Sequence, residues 1–349
     1  MRLLVSALEH SANVHLKALC CELDESVELV GIFDSSLGDP IVDLRSLAIM
    51  GFTDALFKLR LFFKLAAQMV ELSCGVDKVL LIDSSGFNLP LAKRLKKAHP
   101  DLEIIYYILP QAWAWKRGRI ATLQSNIDTL ASILPFEREY YALDAPIEYV
   151  GHPLLDEIRE FKQSASKEIK RVVFMPGSRR SEIKKLMPIF HAVQKKIDAE
   201  AVIVVPDHIA LDKRDELYGN LSQFVVTSDA HMALMQSDFG FICSGTATLE
   251  ASLIGMPFAL CYIAKPLDYI IAKKLVKLEH IGLANIMFSR SNGRIIHPEF
   301  IQDGVNTEAL IECMREFDCE QFLDDSKRLR DYLKHGSSKR VADIIKGER

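Results

Sequence analysis

The chain alternates short runs rich in Val, Ile and Leu with segments of helical periodicity, and this alternation constrains the fold more than any other feature. Most of the runs are continuously apolar, which is typical of parallel strands covered on both faces. Strands that alternate with helices indicate βαβ units and a doubly wound α/β sheet. The predicted strands are residues 3–7, 28–33, 79–83, 104–108, 130–134, 147–150, 171–175, 201–206, 224–227, 239–243 and 257–262.

A polar stretch at residues 160–170 separates two series of predicted strands. The chain has 349 residues, the length of about two domains. We therefore expect doubly wound domains at residues 1–165 and 166–330, facing each other across a cleft, and a charged helical tail at 331–349. Ligands of such sheets bind beyond the carboxyl ends of the strands, so the residues after each strand are candidates for a site.

Composition limits the partners and the cellular location that we expect of the protein. The net charge of −4 gives no electrostatic argument for nucleic-acid binding. The seven cysteines form no C-x-x-C pair, which favours reduced thiols in the cytosol. The apolar N-terminal stretch is too short for a signal peptide and suits a buried first strand. Mean hydropathy is +0.10, yet no apolar run is long enough to span a membrane, so the surplus apolar surface must be buried or meet an apolar partner.

Two turns in the second half suit a nucleotide diphosphate. Each joins a strand to a helix, and small residues there let a phosphate approach backbone N–H groups at the helix N-terminus. Arg179 adds a planar cation, and Glu250 can accept from ribose hydroxyls. The alternatives are a capping box of Thr246 and Glu250 for one turn, and a solvated arginine pair with a Ser181 cap for the other. The candidate residues in the two turns are Gly177, Ser178, Arg179, Ser244, Gly245, Thr246, Ala247 and Glu250.

The first half offers one candidate general base and several residues for an acceptor site. Asp83 ends a buried strand, where a carboxylate can take a proton from a substrate; its alternative role is a turn former or helix cap. Trp113 and Trp115 follow another strand and suit sugar stacking, acyl-chain contact or core packing. His152 follows a strand end and is expected to line the cleft, without a catalytic role. No D-x-D pair occurs, so the sequence predicts no catalytic metal.

Residues 51–70 form a predicted helix with a broad Phe- and Leu-rich face and a narrow strip containing three cations and one anion. This pattern is typical of a helix that lies in a membrane interface with its cations at lipid head groups. A helix buried between the domains is the alternative. The candidate membrane-associating residues are Phe52, Leu56, Phe57, Lys58, Arg60, Phe62, Phe63 and Lys64.

Taken in order, the motifs resemble those of the lipid-A-disaccharide synthases, glycosyltransferases of bacterial outer-membrane lipid assembly. The resemblance covers most of the chain, and the joint order and spacing of its segments are specific although each is weak alone. These segments are residues 47–51, 82–88, 110–115, 134–137, 150–153, 176–179, 244–250 and 274–277.

The resemblance implies a GT-B fold of two Rossmann-like doubly wound domains with an interdomain cleft, in which the C-terminal helix crosses back to the first domain. The implied reaction transfers 2,3-diacylglucosamine from its UDP derivative to the 6-hydroxyl of 2,3-diacylglucosamine 1-phosphate (lipid X), with inversion, giving a disaccharide 1-phosphate and UDP. Such enzymes of Gram-negative bacteria need no metal or cofactor. They are peripheral on the cytoplasmic face of the inner membrane.

Residue roles follow from the same resemblance. Asp83 would deprotonate the acceptor hydroxyl, and Arg179 with the turn at residues 244–246 would stabilise departing UDP. Glu9, the second catalytic candidate, falls on the acidic position of the first turn. Further family positions fall on Asn285 and Gln302 near the donor, and on Asn88, Trp113, Trp115 and His152 as acceptor or cleft candidates.

Three motifs depart from the family pattern. The first turn, roughly G-E-x-S-G-D in the family, has Leu8, Ala12 and Asn13 in place of both glycines and the last acid. Gly86 replaces a second acid close to Asp83, which leaves Asp83 as the base, and L-P-N has become L-A-N at residues 283–285. Two other hypotheses remain: a different GT-B enzyme acting on a UDP-N-acetylhexosamine, and a membrane-bound nucleotide-sugar binder without turnover.

Overall fold

The computed structural model describes residues 1–43, 55–114, 116–207, 209–264 and 279–348. The chain divides into two compact units: Met1–Glu157 with Leu333–Arg349, and Ile158–Tyr332. The division thus falls after Glu157, earlier than the expected boundary at 165. Its physical reason is that Lys162 belongs to the second unit, where its backbone N–H donates to Ile254 O at 2.9 Å and its ammonium donates to Ser237 O at 2.6 Å.

The strands of the first unit form one sheet in the order β3-β2-β1-β4-β5-β6-β7, and those of the second form another in the order β10-β9-β8-β11-β12-β13. All pairings between the described strands are parallel, as predicted. The strands are β1 Arg2–Ser6, β2 Glu28–Phe33, β3 Val42–Asp43, β4 Lys78–Ile82, β5 Glu103–Tyr107, β6 Thr129–Ser132, β7 Ile147–Tyr149, β8 Arg171–Met175, β9 Glu200–Val204, β10 Val225–Thr227, β11 Phe239–Cys243, β12 Phe258–Tyr262 and β13 Glu299–Ile301.

Each predicted strand overlaps a strand of the structure, whereas β3 and β13 were not predicted because runs of two or three residues are too short to show periodicity. The α-helices between and after the strands are α1 His10–Cys20, α2 Ala55–Leu72, α3 Ser85–Ala98, α4 Gly118–Asn126, α5 Pro153–Glu157, α6 Arg180–Gln194, α7 Leu211–Tyr218, α8 Ala230–Gln236, α9 Thr246–Ile254, α10 Leu283–Asn292, α11 Thr307–Glu316, α12 Cys319–Leu333 and α13 Ser337–Lys346.

Both faces of the first sheet are buried under helices. Leu3 and Val5 of β1 pack with α1 and α13 on one face, while Leu4 packs with α2 and α3 on the other. Side chains alternate between the faces of a strand, so only a continuous apolar run can serve two covered faces. Each such side chain, when fully buried, contributes about 1.5–3 kcal/mol.

The core of the second unit is aromatic. Phe174 of β8 lies 5.3 Å from Phe190 of α6 and 5.6 Å from Phe241 of β11, measured between ring centroids. These contacts fix α6 against the two central strands, and α6 begins at one of the predicted anion-binding turns. Among the described residues, no helix is long and apolar enough to cross a membrane.

Candidate active site and donor pocket

The two strand orders place a topological switch point in each unit. In the first unit the chain runs outward from β1 in one direction and from β4 in the other, and in the second unit β8 and β11 play the same parts. A crevice opens beyond the carboxyl ends of such a central pair, and it is the usual ligand site of this architecture. Glu9 and Asp83 follow β1 and β4, while the predicted anion-binding turns follow β8 and β11.

The turn after β4 holds Asp83 in a strained conformation. Asp83 and Ser84 have φ angles of +48° and +40°, which non-glycine residues rarely adopt and which cost about 1–3 kcal/mol each. Three hydrogen bonds hold Asp83: its N–H donates to Tyr107 O at 3.0 Å, and its carbonyl accepts from the Tyr106 hydroxyl at 2.5 Å and from Asn88 Nδ2 at 2.9 Å. The carboxylate is therefore placed by the backbone, at the crevice rather than in the sheet.

Asn88, an acceptor-site candidate, lies behind this turn. Its side chain is fully buried, accepts from Ser6 Oγ at 2.6 Å, and donates to Ile82 O at 3.0 Å as well as to Asp83 O. The structure thus gives Asn88 a supporting position, tying β1, β4 and α3 together beneath the proposed base.

Electrostatics make Asp83 a better base than an ordinary carboxylate. Partial burial raises its pKa, and the negative charge of Glu9 raises it further, against the opposing effects of the Ser84 N–H and His15. Glu9 is held close because Ser84 Oγ donates to Glu9 Oε1 at 3.2 Å. A carboxylate of raised pKa binds a proton more readily, which suits a group that must take one from a hydroxyl.

The altered first turn, in which both family glycines are replaced, is held by the Asn13 side chain. Asn13 is buried, and its Nδ2 donates to Ala7 O and Glu9 O, both at 2.8 Å, while its Oδ1 accepts from the Asp34 N–H at 2.7 Å. Asn13 therefore joins the ends of β1 and β2 and orients the backbone that carries Glu9. Ala12 packs into the core beside it.

Two acceptor-site candidates lie in packed surroundings, and Trp115 lies outside the described residues. Trp113 is 4% exposed and meets Phe136 edge to face at 4.9 Å between centroids, which is the core-packing alternative. His152 is also buried, and its N–H donates to Lys334 O at 3.3 Å. Burial lowers the His152 pKa to about 3, with a further contribution from His15, so the ring is neutral near pH 7.

The second unit contains a pocket of about 440 Å³ at its switch point. Seven of the eight predicted residues of the two turns line it, all except Glu250. The full lining is Met175, Gly177, Ser178, Arg179, Glu182, Val204, Pro206, Ser228, Ala230, Ile242, Cys243, Ser244, Gly245, Thr246 and Ala247.

The turn after β8 requires glycine and is organised by Glu182. Gly177 has φ +95°, and a Cβ there would lie 2.6 Å from Glu182 Oε2 and 3.1 Å from Cys243 Sγ. Glu182 accepts from the Arg179 backbone N–H at 3.3 Å and from Arg179 Nη1 at 2.8 Å, and this ion pair raises the Arg179 pKa. The Arg179 side chain is 78% exposed, so its remaining donors can reach a ligand. Arg179, and not Ser181, is the N-cap residue of α6, and its backbone N–H is bound by Glu182.

The turn after β11 leaves its helix N-terminus open. Gly245 is the N-cap of α9, no side chain caps the helix among the described residues, and no heavy atom lies within 4 Å of where a Gly245 Cβ would be. Glu250 pairs with His231 Nδ1 at 3.3 Å instead of closing a box with Thr246. The capping-box alternative is therefore not what forms, and the geometry favours an anion site.

Two further donor-site candidates lie outside the pocket lining. Asn285 is fully buried; its Nδ2 donates to His297 O and Glu299 Oε1, both at 2.8 Å, and its Oδ1 accepts from the Ile296 N–H at 2.9 Å. Both ends of this amide are thus hydrogen-bonded, and they hold the segment that leads into β13. Gln302 follows β13 with φ +55°, a strained position at a strand end like that of Asp83.

Sequence reasoning missed Glu182, His231 and Arg119. Glu182 is buried and lines the pocket of the second unit, and His231 contacts the predicted ribose ligand Glu250. Arg119 reaches the turn of Asp83, where its Nη1 donates to Ser85 Oγ at 3.1 Å. An acid three residues after Arg179 is a capping signal that could have pointed to Glu182. The contacts of His231 and Arg119 depend on tertiary structure and leave no such signal.

Comparison with known proteins decides the family. A family model described as lipid-A-disaccharide synthetase matches residues 3–339. The lipid-A-disaccharide synthase of Helicobacter pylori (strain J99) is 45% identical over 354 aligned positions, covering 98% of this chain and 97% of its own. The chain belongs to the lipid-A-disaccharide synthase family. The synthase of Campylobacter jejuni (strain RM1221) is 44% identical and covers 98% of both chains.

Solved structures resemble this family member in fold. Acinetobacter baumannii MurG matches with a TM-score of 0.59 at 12% identity, covering 99% of each chain. Os79 from O. sativa in complex with UDP matches over the whole of both chains with a TM-score of 0.65 at 12% identity. Such low identity shows the fold alone, which is GT-B with two Rossmann-like units. The protein is thus a glycosyltransferase of lipid A biosynthesis, as the motifs predicted.

Proposed function

We propose that the protein transfers 2,3-diacylglucosamine from UDP-2,3-diacylglucosamine to the 6-hydroxyl of lipid X, releasing UDP. The observation that carries the residue assignment is the pair of equivalent sites at the two switch points. One presents a carboxylate of raised pKa, and the other presents a pocket formed by small residues, a helix N-terminus and Arg179. We assign acceptor and membrane binding to the first unit and donor binding to the second.

The reaction is a single displacement at the anomeric carbon. Asp83 takes the proton from the acceptor 6-hydroxyl as its oxygen attacks the donor sugar from the face opposite UDP. A new carbon–oxygen bond forms, the bond to the UDP β-phosphate oxygen breaks, and the electron pair leaves with UDP. The configuration at the anomeric carbon inverts.

The second unit stabilises the charge that develops on UDP. Arg179 Nη1 is engaged by Glu182, which fixes the guanidinium and leaves its other N–H groups to donate to the diphosphate. The backbone N–H groups at the start of α9 lie on the same pocket and add fixed dipoles. Glu250 lies one turn beyond Ala247 on the same helix face and is assigned to the ribose hydroxyls.

We assign membrane contact to α2. Leu65, Ala66 and Met69 face the core of the first unit, while Phe62 and Phe63 are 40% and 52% exposed. Arg60 and Lys64 are exposed beside them. Phenylalanines flanked by cations suit an anionic bilayer surface, and acyl chains on both substrates favour work at a membrane. We assign the protein to the cytoplasmic face of the inner membrane.

The membrane candidates earlier in the segment are less informative. Phe52 lies outside the described residues, as do the side chains of Leu56, Phe57 and Lys58. The assignment of membrane contact therefore rests on residues 60–69, whose exposed and buried faces are both described.

The test is an incubation of purified protein with UDP-2,3-diacylglucosamine and lipid X, with and without EDTA. We expect a tetraacyl disaccharide 1-phosphate and an equal amount of UDP, unchanged by the chelator. UDP-N-acetylglucosamine serves as the control donor and is expected to give little product. Absence of disaccharide with good substrates would contradict the proposal, and efficient use of the control donor would favour the UDP-N-acetylhexosamine alternative.

A further inference from the structure

A cation and a hydroxyl group meet next to Asp83 and have no part in the mechanism above. Arg119, the second residue of α4, donates from Nη1 to Ser85 Oγ at 3.1 Å. Ser85 is the first residue of α3 and follows Asp83 by two positions. Both side chains are half-buried, so the guanidinium is held in place while part of it remains accessible.

The surroundings of this pair favour a negatively charged ligand. The first turn of α3 contains no acidic residue, and the Ser84 hydroxyl does not cap the helix because it donates to Glu9. Gly86 is exposed, and no heavy atom lies within 4 Å of where its Cβ would be, so there is room above the turn. Lys116 precedes α4 and is exposed, which adds positive charge.

We propose that Arg119, together with Ser85, binds the 1-phosphate of the acceptor and selects acceptors that carry it. This inference rests on the proposed function, which supplies an acceptor with a phosphate at one end of a single sugar and the reactive 6-hydroxyl at the other. A planar guanidinium that is oriented by a neighbouring hydroxyl group can donate two parallel hydrogen bonds to a phosphate.

The spacing along the chain agrees with the size of one sugar. Two peptide units join Asp83 to Ser85, so their Cα atoms are at most about 7.6 Å apart. A pyranose lying over the turn can therefore present its 6-hydroxyl to Asp83 and its phosphate to Arg119. Glu9 sits against Ser84 and repels a phosphate, which fixes the direction of the sugar.

The test compares matched acceptors, lipid X and its dephosphorylated form, at saturating donor. The wild-type enzyme should show a KM for lipid X about tenfold or more below that for the dephosphorylated acceptor, the size expected of charge-assisted hydrogen bonds. Arg119→Gln should raise the KM for lipid X until the two acceptors differ by about twofold or less, and should leave the KM for the donor unchanged.

Arg117→Gln is the control variant, because it removes the same charge two residues away, where the guanidinium lies over the Tyr140 ring at 5.8 Å. It should retain the phosphate preference. Arg119→Lys keeps the charge without the planar fork and should give an intermediate preference, which covers the case in which Arg119→Gln is unstable.

An unchanged phosphate preference in Arg119→Gln, or an equal loss with both acceptors, would overturn the inference. Equal effects of the Arg117 and Arg119 variants would also overturn it, because the general positive charge around α4 would then explain the preference for a phosphate. Failure of the wild-type enzyme to make any disaccharide would instead contradict the proposed function, and this inference with it.

Discussion

At the scale of single residues, the account depends on Asp83 and its neighbours. The strained turn at Asp83 and Ser84 and the Tyr106 hydroxyl hold its backbone, and the negative charge of Glu9 contributes to its raised pKa. Backbone strain of this kind persists where many contacts hold it, and it concentrates at functional sites.

Replacing Asp83 by asparagine should abolish the base without emptying the site. We expect turnover to fall by about 10²–10⁴-fold, the usual contribution of a positioned general base, while the melting temperature stays nearly unchanged. Asp144→Asn, which alters an exposed carboxylate of the same unit, is the control and should retain full activity. A near-normal rate for Asp83→Asn would remove Asp83 from the mechanism.

The pH profile should report the influence of Glu9 on Asp83. In the proposed mechanism Asp83 must be ionised, so we expect the rate to fall as the pH drops through its raised pKa. Glu9→Gln removes a negative charge that raises this pKa, so the acid limb of kcat/KM should move to lower pH. A limb that stays in place, or moves to higher pH, would show that Glu9 does not act on the titrating group.

Gly177 should tolerate no side chain. Alanine there is strained at φ +95° and would bring its Cβ to 2.6 Å from Glu182 Oε2, which disturbs the Glu182–Arg179 pair. We expect UDP binding to weaken by at least about tenfold, measured by calorimetry. Gly118→Ala, where a Cβ meets no atom within 4 Å, should bind UDP normally, and a normal affinity for Gly177→Ala would contradict the assigned role.

At the scale of elements, α2 shows what hydrophobic periodicity can and cannot decide. The pattern predicted a helix with a broad apolar face, but periodicity does not determine which part of that face packs against the core of the protein. The structure buries Leu65 and Met69 and leaves Phe62 and Phe63 exposed, with Arg94 over the Phe63 ring at 5.1 Å.

A double substitution of Phe62 and Phe63 by glutamate should reduce binding to anionic vesicles by about tenfold or more, because it removes apolar contact and adds repulsion. Circular dichroism should be unchanged. Val225→Glu with Val226→Glu is the matched control, since these residues are 44% and 42% exposed on the second unit. Equal loss in both double variants, or unfolding of the first, would contradict the assignment of α2.

At the scale of the whole molecule, the parallel sheets and the family were predictable from sequence, because continuous apolar strands and ordered motifs depend on local pattern. The short strand β13 and the exact domain limit were not, since Lys162 joins the second unit through contacts with residues 237 and 254. The donor turns were predictable as strand–turn–helix signals. The burial of Asn88, Trp113 and Asn285 was not, because a motif does not reveal on which side of a turn a side chain lies.

The central claim is a single displacement in which a base in the first unit activates the acceptor and the second unit holds the leaving UDP. The most direct measurement is the anomeric configuration of the new linkage, read by NMR from the disaccharide made with the α-linked UDP donor. The account predicts a β-1,6 linkage from one inversion. An α linkage would require two displacements or front-face attack and would contradict it.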